Sequence, residues 1–153
     1  MLEQEYLRRI LKAHVYDVAK ETPLQQAKLL SARTENKILL KREDLQSVFS
    51  FKLRGAYNKM ANLTPEERAR GVIAASAGNH AQGVALAAAK NGIKSLICLP
   101  DSAPISKIEA TRSYGADICL VDGVYDDAYA KAISLRDEKG YTFIHPFDDE
   151  YVI

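Results

Sequence analysis

The chain has 153 residues, 47% hydrophobic and 27% charged, and its 21 Lys and Arg against 20 Asp and Glu leave a formal net charge of +1. That length suits one compact domain, which buries about 70% of its unfolded surface, and the composition excludes a disordered or collagen-like chain. Balanced charge also argues against a reader of phosphate backbones, which carries a basic excess on one face, so no nucleic-acid partner is expected.

Residues 1–20 (MLEQEYLRRILKAHVYDVAK) carry charges throughout and lack the apolar stretch of a secretory signal. No segment approaches the ~20 apolar residues of a membrane span. Cys98 and Cys119 each lie inside an apolar run, LICLP and ADICLV, and read as small buried hydrophobes of a reducing compartment. His14, His80 and His145 have no ligand spacing. A cytoplasmic chain with neither metal nor membrane partner is expected.

In chain order, Leu7, Ile10, Leu11, Val15 and Val18 fit one helical face. Glu21-Thr-Pro-Leu24 reads as extended, because a residue before proline avoids the helical region, and Ile38–Lys41 reads as a strand. Leu53, Ala56, Tyr57 and Met60 follow i, i+3, i+4, i+7 and predict a helix from about Lys52 to Leu63. Thr64-Pro-Glu-Glu67 is a capping box with proline at the first helical position.

A repeated strand–helix pattern follows. Gly71–Ala75 is an apolar run, then a helix-like stretch reaches Lys90 and stops at Asn91-Gly92. Ser95–Leu99 is a second run, with a helix opening at Pro104, capped by Asp101 or Ser102, and reaching about Ser113. Ala116–Val121 is a third, followed by a helix from about Tyr125 to Lys139 and a stop at Gly140; Thr142–Ile144 is a fourth. Recurrence at about 20–25 residues is the spacing of βαβ units. Strands apolar on both faces imply a buried parallel sheet. The expected fold is therefore α/β, an open parallel sheet with helices on both faces in three layers.

Ligands of such sheets gather at the carboxyl ends of the strands, where two segments stand out. The first is Ser76-Ala-Gly-Asn-His-Ala-Gln-Gly83. Ser76 and Asn79 can each cap the helix that follows, Gly78 frees the backbone to approach a ligand, and the helix start offers unpaired N–H groups to a carboxylate or phosphate. An ordinary capped loop is the competing reading, and neither a dinucleotide fingerprint nor a P-loop is present. The second is Ser50-Phe-Lys-Leu-Arg-Gly-Ala-Tyr57. Lys52 falls in a first helical turn, where the helix dipole disfavours a cation and eases access to the neutral, nucleophilic amine; a snorkelling surface lysine is the alternative.

Together, Ser50-Phe-Lys-Leu-Arg-Gly-Ala56 and Ser76-Ala-Gly-Asn-His-Ala-Gln-Gly-Val84 closely resemble the fold-type II pyridoxal-phosphate enzymes, and among them the threonine dehydratases (threonine ammonia-lyases). Val15-Tyr-Asp17, Thr22-Pro-Leu24, Leu39-Leu-Lys-Arg-Glu-Asp44 and Pro146-Phe-Asp148 match as well, and the first forty residues are more similar to the biosynthetic, isoleucine-pathway type than to the catabolic one. The resemblance implies that Lys52 forms the Schiff base with pyridoxal 5'-phosphate and then serves as base for the Cα proton. It implies that Asn79 bonds the 3-hydroxyl of the cofactor ring and that Phe51 walls that ring. Ser76, Ala77, Gly78, Asn79 and His80 match the loop that cradles the carboxylate of an amino-acid substrate. The implied reaction is β-elimination of threonine to 2-oxobutanoate and ammonia. A serine/threonine dehydratase or serine racemase of the same fold is an alternative, as is a non-catalytic α/β module that binds a small anion.

In one respect the chain departs from the family. The family's phosphate-binding loop is a run of four glycines, whereas the 8 glycines here are all isolated. The chain is therefore expected to be the N-terminal part of the enzyme. Residues 1–45 form an arm belonging to the large domain, and residues 46–153 form the small domain carrying the cofactor lysine. On this reading the full-length enzyme is a homo-oligomer, and the 153-residue chain alone binds cofactor weakly and is inactive.

Overall fold

A four-stranded parallel sheet organises the molecule. The computed structural model describes residues 2–153, so that Met1 of the expected arm lies outside the described residues. The elements are α1 (Leu2–Lys12), a 3-10 turn (Val15–Asp17), β1 (Leu24–Gln26), α2 (Lys28–Thr34), β2 (Leu39–Lys41), a 3-10 turn (Glu43–Leu45), α3 (Lys52–Ala61), α4 (Pro65–Arg70), β3 (Val72–Ala75), α5 (Asn79–Asn91), β4 (Ser95–Pro100), α6 (Ile105–Ser113), β5 (Asp117–Val121), α7 (Tyr125–Lys139) and β6 (Thr142–Phe143). The sheet runs in the order β5-β4-β3-β6. The chain thus lays three strands outward in one direction, then crosses back to place β6 on the free side of β3.

Both faces of the sheet are covered, as the apolar runs require. Val72 and Ala74 point to a core formed with Ala56 and Met60 of α3, Ala81, Val84, Ala85 and Ala88 of α5, and Ile108 of α6. Ile73 and Ala75 point the other way, onto Ala128, Ala132 and Leu135 of α7. This is the three-layer α/β arrangement, with α7 alone covering the second face. Cys98 and Cys119 are register partners on β4 and β5; both are free, and burial pushes the Cys98 thiol up to about 12.

Local chemistry accounts for most boundaries. At α4 the Glu67 N–H donates to Thr64 Oγ1 at 3.2 Å and the Thr64 N–H to Glu67 Oε2 at 2.8 Å, the reciprocal pair of a capping box. Gly92 and Gly140 end α5 and α7 in the left-handed region, at φ 65° and 74°. Two expected caps are corrected. Neither Ser76 nor Asn79 caps α5, because the helix starts at Asn79 behind Gly78 and the Ser76 hydroxyl is turned to the Gly78 N–H. Nor do Asp101 and Ser102 cap α6, since Pro104 precedes it and the Asp101 N–H instead donates to Val121 O, extending the β4–β5 edge. Helix α2, with no regular apolar stripe, carries no signal in the sequence.

Helix α5 is buried nearly all round, eight of its thirteen residues being inaccessible, as a small, alanine-rich helix between a sheet and a second helix must be. Its closest neighbour is the start of α3. A Cβ on Gly83 would stand 2.9 Å from the Lys52 carbonyl carbon and 3.0 Å from the Leu53 nitrogen, so only glycine allows this approach.

The segment preceding α3 is held by polar contacts. β1 and β2 pair antiparallel in a sheet of their own, Leu24 opposite Lys41. Behind it the Glu43 carboxylate accepts from Arg54 Nε at 2.8 Å, Arg54 Nη2 at 2.9 Å and Thr22 Oγ1 at 2.5 Å. Gln46, buried, pairs both ways with the Lys20 backbone at 2.8 Å. Apolar side chains of this segment stay uncovered: Leu24 is 60% exposed, Leu29 90%, and Leu7, Ile10 and Leu11 on the expected helical face 57%, 66% and 77%. Among the described residues no helix is long and apolar enough to cross a membrane, and no cluster of His, Cys, Asp and Glu could hold a metal ion.

Two outcomes follow from these contacts. The Arg54 hydrogen bonds, with those of Thr22 and Gln46, hold the Glu43 carboxyl at about 2. A carboxylate depressed in the folded state stabilises fully above its unfolded value, and that stability is lost as pH falls through the folded one. Urea titrations from pH 7 to pH 2 are expected to show a loss on the order of 3 kcal/mol below about pH 4.5 from this group, and Glu43→Gln should flatten that limb while costing ~2 kcal/mol at pH 7; an unchanged acid limb would contradict the network. Gly83→Ala should lower stability by about 1–3 kcal/mol through overpacking against the α3 backbone, and an unchanged melting temperature would mean that the two helices are not in tight contact.

Candidate active site

Strands β3 and β6 mark the point where the sheet order reverses, and in open parallel sheets the crevice beyond such a point is where ligands bind. Beyond β3 the Ser76 N–H donates to Cys98 O at 3.1 Å, and beyond β6 the Ile144 N–H donates to Ile73 O at 2.9 Å. Past these last sheet bonds the two chains part, one into the Ser76–Gly78 loop and α5, the other into the turn at 144–148.

Ser76, Ala77 and Gly78 are half-buried and Asn79 is exposed. The Ser76 hydroxyl accepts from the Gly78 N–H at 3.2 Å and shapes the turn. A Cβ on Gly78 would meet nothing within 4 Å, so the loop borders open space. Because α5 starts without a side-chain cap, its first-turn N–H groups have no intrahelical partner and point at that space with the positive end of the helix dipole. His80 differs from its neighbours: it is 4% exposed, and its Nε2 lies 2.8 Å from Ile144 O. Burial, with the Lys52 charge adding to it and the Ile144 bond opposing, pushes the imidazole down to about 4.

Lys52 is the first residue of α3, half-buried, and its Nζ donates to Pro146 O at 2.6 Å. The ammonium group also stands 5.3 Å from the centroid of the exposed Phe51 ring. Neither Glu43 nor Asp44 pairs with it: Glu43 is bound to Arg54 and Asp44 to Arg42 at 2.6 Å. The structure therefore brings the two expected segments together in two ways: through the backbone contact of Gly83 with Lys52, and through the 144–146 segment, which meets His80 at one carbonyl and Lys52 at another. Upstream of the lysine, Phe49 adopts φ 55°, a left-handed conformation costly for an aromatic residue, between the buried Val48 and Ser50.

Three parts of this arrangement were not among the expected site residues: the Pro146 carbonyl, Gly83 and His145. His145 Nδ1 accepts from the Asp148 N–H at 2.7 Å and the Phe147 N–H at 3.3 Å, closing the turn around Pro146. The available signal was positional, since all of residues 145–148 follow directly on the fourth strand. Ser50 Oγ and His80 Nδ1 are buried without hydrogen-bond partners. A primary amine on one carbonyl, uncapped helix amides opposite it and orphaned buried polar atoms nearby form a set suited to an anionic carbonyl compound.

Known proteins share this chain's sequence and fold. The family described as "Pyridoxal-phosphate dependent enzyme" matches residues 15–153. The chain is 54% identical, along its whole length, to the biosynthetic L-threonine dehydratase IlvA of Burkholderia multivorans and covers 31% of that protein. It is 52% identical over 97% of its length to the Escherichia coli IlvA and covers 29% of it. Among solved structures, the processed form of threonine deaminase isoform 2 from Solanum lycopersicum superimposes with a TM-score of 0.93 at 50% identity, over 97% of this chain and 43% of that one. Maize serine racemase gives 0.86 at 32% identity, over 97% and 44%. The chain thus spans about a third of the length of the curated relatives it matches. With a parallel sheet of this topology and a family match covering most of its residues, the chain belongs to the family of pyridoxal-phosphate-dependent enzymes.

Proposed function

We propose that this chain is the N-terminal part of a pyridoxal-phosphate-dependent L-threonine dehydratase, which carries out β-elimination of threonine to 2-oxobutanoate and ammonia. The observation that carries the reading is the Lys52 amine, free of any carboxylate and held on Pro146 O at 2.6 Å beside the uncapped start of α5. Identity of 54% to a biosynthetic threonine dehydratase, against 32% to a serine racemase, favours elimination over racemisation. The resemblance of the first forty residues, with the word biosynthetic in those relatives' names, supports a place in isoleucine biosynthesis. The family resemblance supports a homo-oligomer, and the free Cys98 and Cys119 support a reducing compartment such as the cytoplasm.

The residues present fit the cofactor. Lys52 is the amine for its aldehyde, Asn79 stands in the exposed loop to bond the ring 3-hydroxyl, and Phe51 is an exposed aromatic beside the amine that would wall the ring. Pyridoxal phosphate, when bound, supplies an electron sink for the charge that develops at the substrate Cα. The chain's own groups do the rest. The Ser76–His80 loop and the helix amides hold the substrate carboxylate without a buried Lys or Arg, fixing the Cα–H bond relative to Lys52. Lys52 Nζ takes the Cα proton, and Pro146 O keeps that nitrogen oriented. Phe51 keeps water from one side of the reacting centre.

Residues 1–45 read best as an arm of a second, larger domain, and residues 46–153 as the small domain. Support comes from the uncovered Leu24, Leu29, Leu39 and Leu40 on the separate β1–β2 unit, together with relatives about three times as long. With its 8 glycines isolated, the chain lacks a glycine run for the cofactor phosphate, so its affinity rests on the lysine. Titrating the chain with pyridoxal phosphate should therefore give a visible imine band whose saturable part, above the non-saturating background of surface lysines, vanishes in Lys52→Ala. A saturable band that survives Lys52→Ala would overturn the assignment. In the protein that carries this chain, the same substitution should reduce oxoacid release from threonine by about 10²–10⁴-fold, the contribution of a positioned general base, and formation of D-amino acid in place of oxoacid would identify a racemase.

A further inference from the structure

We propose that His80 is a positioning residue for the Lys52 amine, acting through the backbone of Ile144–Pro146. The inference rests on the reading of Lys52 as the cofactor lysine, but its evidence is separate. Strand β6 is only two residues long and pairs only with β3, Thr142 opposite Val72 and Phe143 opposite Ile73. One further sheet bond, from the Ile144 N–H to Ile73 O, ends the ladder. Past it the backbone has no strand to lean on, yet Pro146 O must stand where Lys52 Nζ can reach it at 2.6 Å. The first tie beyond the ladder is His80, whose Nε2 meets Ile144 O at 2.8 Å.

The chemistry of that bond is determined. A carbonyl oxygen only accepts, so Nε2 carries the hydrogen, and Nδ1, buried with no partner, is bare. The imidazole is neutral near pH 7, since burial, with the neighbouring Lys52 charge adding to it, pushes it down to about 4. A neutral donor suits this place, because an imidazolium would repel the Lys52 ammonium. From the other side His145 Nδ1 collects the N–H groups of Phe147 and Asp148 and fixes the exit of the turn.

The geometry closes on itself. Helix α5 touches the Lys52 main chain at Gly83. Three residues earlier on the same helix, His80 grips the segment that holds the Lys52 side chain. Backbone and amine of the lysine are therefore referenced to one rigid, buried element, which is how a reacting group is kept within a fraction of an ångström of its working position. A core filler would need only the volume of the ring, whereas a positioning residue needs its Nε2 donor.

Imine formation with pyridoxal phosphate tests this without catalytic turnover. The rate of the Lys52-dependent band is compared among the unsubstituted chain, Lys52→Ala, His80→Leu and His80→Gln, with folding checked by circular dichroism and thermal melts. His80→Leu is expected to slow imine formation about tenfold or more, and His80→Gln, whose amide offers a donor to Ile144 O, to stay within about threefold of the parent. A leucine variant as fast as the parent, or a glutamine variant as slow as leucine, overturns the proposal. A saturable band that persists in Lys52→Ala overturns the lysine assignment instead. Should His80→Leu fail to fold, His80→Met takes its place under the same criteria. The ¹⁵N shifts of His80 in the unsubstituted chain need no substitution at all: protonated Nε2 with bare Nδ1 is expected, and protonation on Nδ1 overturns the proposal.

Discussion

The site depends on the return of β6 to the free side of β3. A chain that continued outward past β5 would bury its apolar runs equally well, yet the carbonyl of Pro146 would then lie three strands from the loop after β3. The crossover through α7, made possible by a second apolar face at Ile73, Ala75 and Cys98, instead sets the ends of β3 and β6 side by side. Everything chemical in the molecule sits at that junction. The amine of Lys52 arrives from α3 by way of the Gly83 contact, and the amides of α5 open onto the same crevice.

Charge at this junction is managed by dipoles and single carbonyls in place of ion pairs. Glu43 and Asp44 are each engaged by an arginine, and Lys52 is left to a neutral acceptor. His80, though basic in water, is held neutral by burial. On the proposed reading, anion binding falls to the first turn of α5, where backbone N–H groups supply partial positive charge without adding to a net charge of +1. Arg54, two residues after the lysine, is spent on Glu43 and fastens the leading segment to α3.

Much of this was legible in the residues. The apolar runs gave four parallel strands, and the stops at Gly92 and Gly140 fall where left-handed caps end α5 and α7. The helix around Leu53, Ala56 and Met60 follows its period, and those three side chains are buried. Helix caps were less legible. Ser76, Asn79, Asp101 and Ser102 are all capping residue types, but the Ser76 hydroxyl goes to a local turn and the Asp101 N–H to a sheet extension, and such short-range choices turn on backbone geometry that composition does not encode. Helix α2 leaves no periodic mark in the sequence because Ser31 alone of its residues is buried. The Pro146 carbonyl was invisible for a different reason, since a backbone acceptor leaves no mark on residue identity. What made the site recognisable was the pair of motifs around Lys52 and Asn79. What holds it together is a glycine contact, a histidine and a carbonyl that no motif announces.

The central claim is that one amine among many is set apart by the fold. The chain has twelve lysines, most of them on open surface where pyridoxal phosphate could form transient imines. Trapping those imines with borohydride at limiting cofactor, followed by peptide mass spectrometry, measures how the label distributes. If the account holds, Lys52 carries the dominant share, well above any exposed lysine. An even spread over the surface lysines, with Lys52 unlabelled or no more labelled than the rest, would contradict it.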